Sequence, residues 1–281
     1  MSGLLLSIDL EDVRDWVEDG MRYRERVEAN TERYLATFAQ WGVRATFFIV
    51  GRAARRYPAL IRRVATAGHE LACHGDLHLQ LDKLDPAGLR QDLQRNREML
   101  EQLAGVAVTG FRAPTFSLTR RTAWAHEVLA ELGFRYSSSV LPAPNPLYGW
   151  PEFGPDCRQV LPGLWELPIT LHDWPGLRVP ACGGVYFRVL PFFLARWTLR
   201  ANLRRGRAVG TYFHPYDIDL EQERFMHPDL GNKRWLNALM YIGRSRVLPR
   251  LDRLRHCCPL LTYGDHVATL EQRGRATHQI S

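Results

Sequence analysis

Short apolar runs alternate with stretches of helical periodicity along the first half of the chain. The apolar runs predict buried strands over 4–8, 45–50, 70–73, 108–111 and 136–140, and the run 45–50 is rich in β-branched and aromatic residues. The intervening stretches space their apolar residues as amphipathic helices do, over 23–41, 58–67, 85–103 and 119–132. Asp85 followed by Pro86 supplies an N-cap and a first-turn proline for the third helix.

The second half repeats this alternation less regularly. It predicts strands over 164–167, 209–213 and 260–263, and helices over 190–204 and 236–254. Strands that alternate with helices favour a parallel sheet with right-handed crossovers. Seven or eight such units without a convincing linker predict one α/β domain, residues 1–281, built as a (β/α) barrel. The proline-rich stretch 142–155 is interpreted as a long loop on that barrel.

Composition restricts the class of protein. The chain has 281 residues, of which 46% are hydrophobic and 24% charged, as in globular proteins that build a core. No run approaches the roughly 20 apolar residues that span a bilayer. The apolar run 4–6 is too short for a secretory signal, which predicts a cytoplasmic location. Five cysteines without a CxxC pair indicate neither a zinc knuckle nor a disulfide framework.

The net charge is +7, and the basic residues cluster locally only over 200–207. A nucleic-acid-binding protein concentrates such charge on one element, so no nucleic-acid partner is expected. Peripheral contact of the basic helix around 190–207 with a membrane is compatible with the pattern. Packing of this helix against the barrel is the simpler interpretation.

Polar residues gather where the predicted strands end, which is where (β/α) barrels carry their chemistry. The first strand ends in Asp9-Leu-Glu-Asp12, the third in His74-Gly-Asp-Leu-His78, the fourth in Arg112-Ala-Pro-Thr115, and a late strand in His214. Each motif alone has an ordinary structural explanation, such as a helix cap or a salt bridge. Their occurrence at successive strand ends predicts a common site.

His74 and His78 are four residues apart, so on a helical turn both imidazoles would face one way and could share a metal ion. Two histidines and one carboxylate form a ligand set typical of hydrolytic metal sites. Spacing by two from Asp9 favours Glu11 as the carboxylate if the strand stays extended, whereas a turn at Leu10 favours Asp12. The sequence leaves both open.

These motifs, in this order, resemble those of polysaccharide deacetylases, the carbohydrate esterase family 4. The stretch Ala45-Thr-Phe-Phe-Ile-Val-Gly51 resembles the second strand of that family. The segments Asp9-Leu-Glu-Asp12 and Gly183-Gly-Val-Tyr-Phe-Arg188 further resemble a branch from bacterial exopolysaccharide loci, part of it exosortase-associated. The resemblance covers residues 4–263 and implies a distorted (β/α)7–8 barrel.

The resemblance also implies roles for single residues. Asp9 matches the catalytic base, Arg112 the arginine that orients it, and His214 the general acid. His74 and His78 match ligands of one divalent ion, with zinc the favoured metal, and the third ligand is Glu11 or Asp12. The amide of Thr115 would belong to the oxyanion hole.

The chain departs from the family pattern at three places. Leu10 separates the base from the next carboxylate, and Thr115 replaces a common aromatic residue. The stretch 136–139 lacks an aspartate often found there. Trp174, next to Asp173, could form a substrate wall with a nearby charge, although a helix cap and a core tryptophan explain the pair equally well.

The sequence therefore predicts a metal-dependent deacetylase acting on N-acetylhexosamine units of a bacterial polysaccharide or of a lipid-linked precursor. One alternative is hydrolysis of another small carbon–nitrogen bond on the same barrel. Another is a catalytically silent glycan-binding protein, which the altered base–ligand spacing would favour.

Overall fold

The structure is a computed structural model that describes residues 2–145, 147–172, 176, 178–228 and 230–278, with side chains described up to residue 273. Ten short strands are assigned in these ranges: β1 Leu4–Leu5, β2 Ser7–Leu10, β3 Thr46–Ile49, β4 Glu70–Cys73, β5 Gly110–Phe111, β6 Tyr136–Ser137, β7 Arg158–Leu161, β8 Leu164–Glu166, β9 Val209–Gly210 and β10 Leu260–Leu261.

Ten α-helices are assigned in the same ranges: α1 Val27–Trp41, α2 Gly51–Arg56, α3 Pro58–Thr66, α4 Pro86–Ala104, α5 Ala125–Glu131, α6 Gly184–Val189, α7 Phe192–Arg204, α8 Arg234–Leu239, α9 Val247–Arg255 and α10 Tyr263–His278. The predicted cap of α4 is present, since the Asp85 carboxylate accepts a hydrogen bond from the Gly88 amide. No helix in the described ranges has the length and apolar character needed to cross a bilayer.

The strands form two mainly parallel sheets that together make a distorted barrel. The larger sheet has the order β2-β3-β4-β5-β6-β8-β7 and the smaller one the order β10-β1-β9. All pairs are parallel except the hairpin of β7 and β8. The chain around Phe213 closes the barrel, since it pairs in parallel with Ile8 and accepts a hydrogen bond from the Asp9 amide. The predicted barrel class is confirmed.

Three aromatic side chains, Phe48, Tyr136 and Tyr263, pack together in the barrel. Leu5, Ala72, Leu167 and Val267 belong to the same buried cluster. The larger core lies outside, where the apolar faces of the helices cover the sheet. A barrel filled by side chains leaves room for a ligand only at its rim.

Several predicted boundaries are wrong in detail. The helix expected over 236–254 is two helices, α8 and α9, because Gly243 takes a left-handed conformation (φ 72°) between them. Helix α1 begins at Val27 rather than at residue 23. The antiparallel strand β7 and helices α2, α6 and α10 were not predicted, since short or weakly periodic segments carry little signal.

Candidate functional site

Side chains from four strand ends converge at one rim of the barrel. A cavity of about 560 Å³ lies there, and seven of its lining residues come from the motifs at those strand ends: Asp9, Glu11, His74, His78, Ala113, Thr115 and His214. Because parallel strands bring their carboxyl ends to one rim, motifs separated by up to two hundred residues meet in space.

Glu11, His74 and His78 form a compact group. One ligand atom from each lies within 4.8 Å of the others. Nε2 of His78 is 2.8 Å from Oε2 of Glu11, but the atoms are not aligned as donor and acceptor, and Oε2 is buried without a hydrogen-bond partner. A buried orphan carboxylate oxygen beside two imidazoles has the environment of a metal ligand.

The tautomer of His74 follows from its surroundings. Its Nδ1 lies 2.8 Å from the backbone oxygen of Arg112, which can only accept, so Nδ1 carries the proton. Nε2 then presents a lone pair toward Glu11 and His78. Burial lowers the pKa of His74 to about 4, which keeps the ring neutral as a ligand must be. Burial raises the pKa of Glu11, but His78, His214 and His74 outweigh it and lower the value to about 2.

The two histidines do not lie on a helical turn, and this part of the prediction is wrong. They lie in a loop after β4, in which Gly75 (φ 75°) and His78 (φ 56°) are left-handed. The Asp92 carboxylate accepts hydrogen bonds from the amides of Asp76 and Leu77. This loop brings the two rings to a centroid distance of 4.9 Å.

Of the two carboxylates left open by the sequence, Glu11 joins the histidines and Asp12 does not. Asp12 accepts hydrogen bonds from the Arg14 amide and from Tyr57, and it forms ion pairs with Arg14 (2.6 Å) and Arg56 (3.0 Å). Burial raises the pKa of Asp12, but these donors outweigh it and lower the value. Asp12 as a metal ligand is therefore corrected: it caps the short turn Val13–Trp16.

The turn Val13–Trp16 contacts the ligand group through Trp16. The Trp16 ring stacks on His78 at a centroid distance of 4.7 Å and an angle of 25°. The guanidinium of Arg52 also contacts Trp16, since its Cζ lies 5.2 Å from the centroid of the Trp16 ring. The cap at Asp12 thus holds an aromatic side chain that restricts the orientation of His78.

Asp9 and Arg112 form a fully buried ion pair. Nη1 of Arg112 is 2.5 Å from Oδ1 of Asp9, and the guanidinium is 0% exposed. Arg112 also donates to Ser7 Oγ, to the Ser138 oxygen and to the Tyr263 hydroxyl. These contacts fix the guanidinium and place a positive charge directly beside the Asp9 carboxylate.

His214 is held by a second buried charge pair. Its Nδ1 lies 3.0 Å from Oδ2 of Asp217, which also accepts the His214 amide. The other oxygen of Asp217 is 3.1 Å from Nε of Arg188, and both side chains are 0% exposed. Burial lowers the pKa of His214, but Asp217, Glu11 and Asp9 outweigh it and raise the value to about 9. Nε2 of His214 faces Glu11 at 3.7 Å.

Thr115 lies on the cavity wall in a left-handed conformation (φ 53°), and its Oγ1 is buried without a hydrogen-bond partner. A β-branched residue at positive φ is strained, and such strain is concentrated at functional sites. Trp174, predicted as a substrate wall, lies outside the described residues, as does Asp173.

The second half of the chain adds an aromatic wall around His227. Its ring contacts those of Tyr216, Phe225 and Tyr241 at centroid distances of 5.5, 5.0 and 5.4 Å. Burial lowers the pKa of His227 to about 3, so the ring is neutral, and its Nε2 is buried without a partner on the cavity wall.

Two further polar atoms on the same cavity, Trp16 Nε1 and Thr115 Oγ1, are buried without a hydrogen-bond partner. Buried polar atoms left without partners are costly, so these three are suited to bind a polar ligand.

Sequence reasoning did not assign roles to Asp217, Arg188 or His227. Asp217 follows His214 by three residues, and Arg188 ends the segment Gly183-Gly-Val-Tyr-Phe-Arg188, so both carried a local signal. His227 carried none, since it lies in an irregular segment between two short elements.

Comparison with protein families divides the chain near the middle. Residues 16–137 match the model of the polysaccharide deacetylase family. Residues 138–263 match the model of a domain of unknown function, DUF3473. The first match contains both histidines of the ligand group, and the second contains His214 and His227.

Curated relatives match only part of the chain. A peptidoglycan-N-acetylglucosamine deacetylase of Bacillus cereus is 33% identical over 98 residues, 34% of this chain and 36% of its own length. A chitooligosaccharide deacetylase of Sinorhizobium fredii is 36% identical over 85 residues, 30% of this chain and 40% of its own length. The chain thus spans less than half the length of these relatives.

Solved structures agree with the barrel over nearly the whole chain. Puue allantoinase superposes with a TM-score of 0.60 at 16% identity, covering 95% of this chain and 89% of its own. The carbohydrate esterase domain of a multidomain xylanase from the hindgut metagenome of Trinervitermes trinervoides gives 0.50 at 14% identity, covering 98% and 92%. At these identities the similarity concerns the fold.

The arrangement of Glu11, His74 and His78 predicts which substitutions weaken metal binding. We expect the purified chain, stripped with chelator and reloaded, to bind one zinc ion, and His74→Ala, His78→Ala and Glu11→Gln each to weaken this binding at least tenfold. Asp12→Asn should keep it, because the Asp12 carboxylate faces arginines. Titration calorimetry and elemental analysis measure both. Loss of zinc from Asp12→Asn with retention by Glu11→Gln would reverse the assignment.

Proposed function

We propose that the chain is a metal-dependent N-deacetylase, since residues 16–137 match the model of the polysaccharide deacetylase family. Its substrate is an N-acetylhexosamine unit of a bacterial exopolysaccharide or of a lipid-linked precursor, as the sequence predicts. The observation that carries the proposal is the convergence of Glu11, His74 and His78 on one cavity with Asp9 and His214. The predicted cytoplasmic location stays a prediction.

Two imidazoles and one carboxylate fit a catalytic divalent ion, with zinc the favoured metal. The bonded Nδ1 of His74 and the orphan Oε2 of Glu11 support this fit. When bound, such an ion polarises a carbonyl group and lowers the pKa of a water molecule. Three protein ligands leave coordination positions for water and substrate.

The remaining residues suit the proton transfers of amide hydrolysis. Asp9, paired with Arg112, serves as the base that takes a proton from the attacking water. An amide cannot expel a bare amide ion, so the departing nitrogen needs a proton. His214 supplies it from Nε2, since its Nδ1 proton is held by Asp217. Thr115 is proposed to contribute its amide to the oxyanion hole.

The proposal predicts release of acetate from N-acetylglucosamine oligomers by the zinc-loaded chain. Asp9→Asn and His214→Ala should lower kcat by about 10²- to 10⁴-fold while keeping zinc, because each removes a proton-transfer group and no ligand. Enzymatic acetate detection and mass spectrometry of the oligomer measure this directly.

The controls separate the alternatives. Zinc-loaded chain that binds oligomers without releasing acetate would contradict an enzyme and favour a silent glycan-binding protein. Release of acid or ammonia from small amides alone, with oligomers untouched, would replace the glycan by another substrate on the same barrel. Full activity in His214→Ala would exclude it as the general acid.

Asp217 is proposed as a positioning residue for His214. Asp217→Asn keeps the shape but removes the charge that faces both His214 and Arg188. We expect kcat to fall about 10- to 100-fold with KM little changed, as for other residues that orient a reacting group. Steady-state kinetics separate the two constants. Asp219→Asn is the control, since Asp219 pairs with Arg26 and is not among the residues of the cavity. A rise in KM alone would contradict the positioning role.

His227 is proposed to bind a substrate hydroxyl or carbonyl group. His227→Phe keeps an aromatic ring among Tyr216, Phe225 and Tyr241 but removes the unpartnered nitrogen. Loss of one neutral hydrogen bond should raise KM about 3- to 10-fold, with zinc content unchanged. Kinetics on the same oligomers test this, and an unchanged KM would exclude the contact.

A further inference from the structure

The segment between Asp173 and Asp217 is rich in positive charge, since it contains seven arginines and no carboxylate. Helix α7 occupies the middle of this segment and contains no acidic residue.

Helix α7 has two distinct faces. The inner face packs on the barrel with Leu194, Ala195, Thr198, Leu199 and Asn202, all buried. The outer face carries Phe193, Trp197, Arg200 and Arg204, spaced by three or four residues so that they form one stripe. Phe193 is 60% exposed and Trp197 is 41% exposed. The helix thus packs on the barrel, as expected from the sequence, but only through one side.

The arginines of this stripe are available for an external partner. Among the described residues, no carboxylate lies within ion-pair distance of Arg196, Arg200 or Arg204. A shallow surface groove of about 380 Å³ runs along the stripe, lined by Trp197, Ala201 and three arginines. Arg207, just beyond the helix, already pairs with Asp156.

The combination of aromatic and basic residues selects the kind of partner. Arginines alone would suit any polyanion, but two large aromatic side chains projecting from the same stripe suit the boundary between lipid headgroups and acyl chains. Arginine next to them can bind lipid phosphates. We propose that the outer face of α7 docks the protein on an anionic lipid bilayer, with Phe193 and Trp197 entering the interface.

This surface contributes no residue to the catalytic cavity. Docking therefore concerns where the protein works and does not depend on the proposed reaction. Binding to vesicles and hydrolysis of a soluble oligomer can be measured separately on the same chain.

The experiment is flotation of the chain with vesicles of phosphatidylcholine, with or without about 30% phosphatidylglycerol, at low and high salt. We expect binding to the anionic vesicles only, weakened by salt. Arg200→Glu with Arg204→Glu should reduce binding at least tenfold, and Phe193→Ser with Trp197→Ser should reduce the part that survives high salt. Circular dichroism and thermal melting verify that each variant is folded.

The matched control is Arg120→Glu with Arg121→Glu, which changes the net charge equally at two exposed arginines outside α7. It should retain binding within about threefold. Equal losses in the control and the α7 variants would mean a diffuse charge effect and overturn the proposal. Absence of vesicle binding, together with α7-dependent binding of heparin or DNA, would identify a soluble polyanion instead and also overturn it.

Discussion

The buried ion pair of Asp9 and Arg112 is the interaction on which the site depends. A guanidinium without solvent is tolerated only when its donors are satisfied and a negative charge lies next to it. Its partners come from strand β2, from Ser138 after β6 and from Tyr263 at the start of α10. One side chain therefore links distant parts of the barrel and fixes the orientation of Asp9. The contacts of Arg112 that hold these parts of the barrel together are thus the same ones that orient Asp9.

Asp9, Glu11 and Asp12 are neighbouring carboxylates, and their roles differ because their side chains contact different partners. Asp9 faces Arg112, Glu11 faces imidazoles, and Asp12 faces Arg14 and Arg56. Of these three carboxylates, only Glu11 lies among groups that can share a metal ion with it. The same logic recurs at His214, whose partner Asp217 is paired with the buried Arg188. The cavity thus has a buried arginine behind the base and another behind the acid.

The barrel and the convergence of the motifs were predictable, because strand and helix periods and strand-end polarity are local properties of the sequence. The choice between Glu11 and Asp12 was not, since it depends on whether the chain turns after Leu10, and that turn is held by Arg14, Arg56 and Tyr57. The loop of His74 and His78 was mistaken for a helical turn because residue spacing is the same in both. The loop is fixed by Asp92 on α4, a contact that no local pattern reveals.

The two halves of the chain contribute differently to the cavity, and this bears on substrate choice. The boundary between the two family matches falls next to the pairing of β6 with β8, so neither half closes the barrel alone. The first half supplies both histidines of the ligand group, whereas the second supplies His214 and the aromatic wall around His227. Discrimination between substrates with the same scissile bond arises where the rest of the substrate is held. For the proposed reaction, the aromatic wall around His227 in residues 138–263 is therefore expected to contribute to substrate choice, together with Trp16 and Thr115 of the first half.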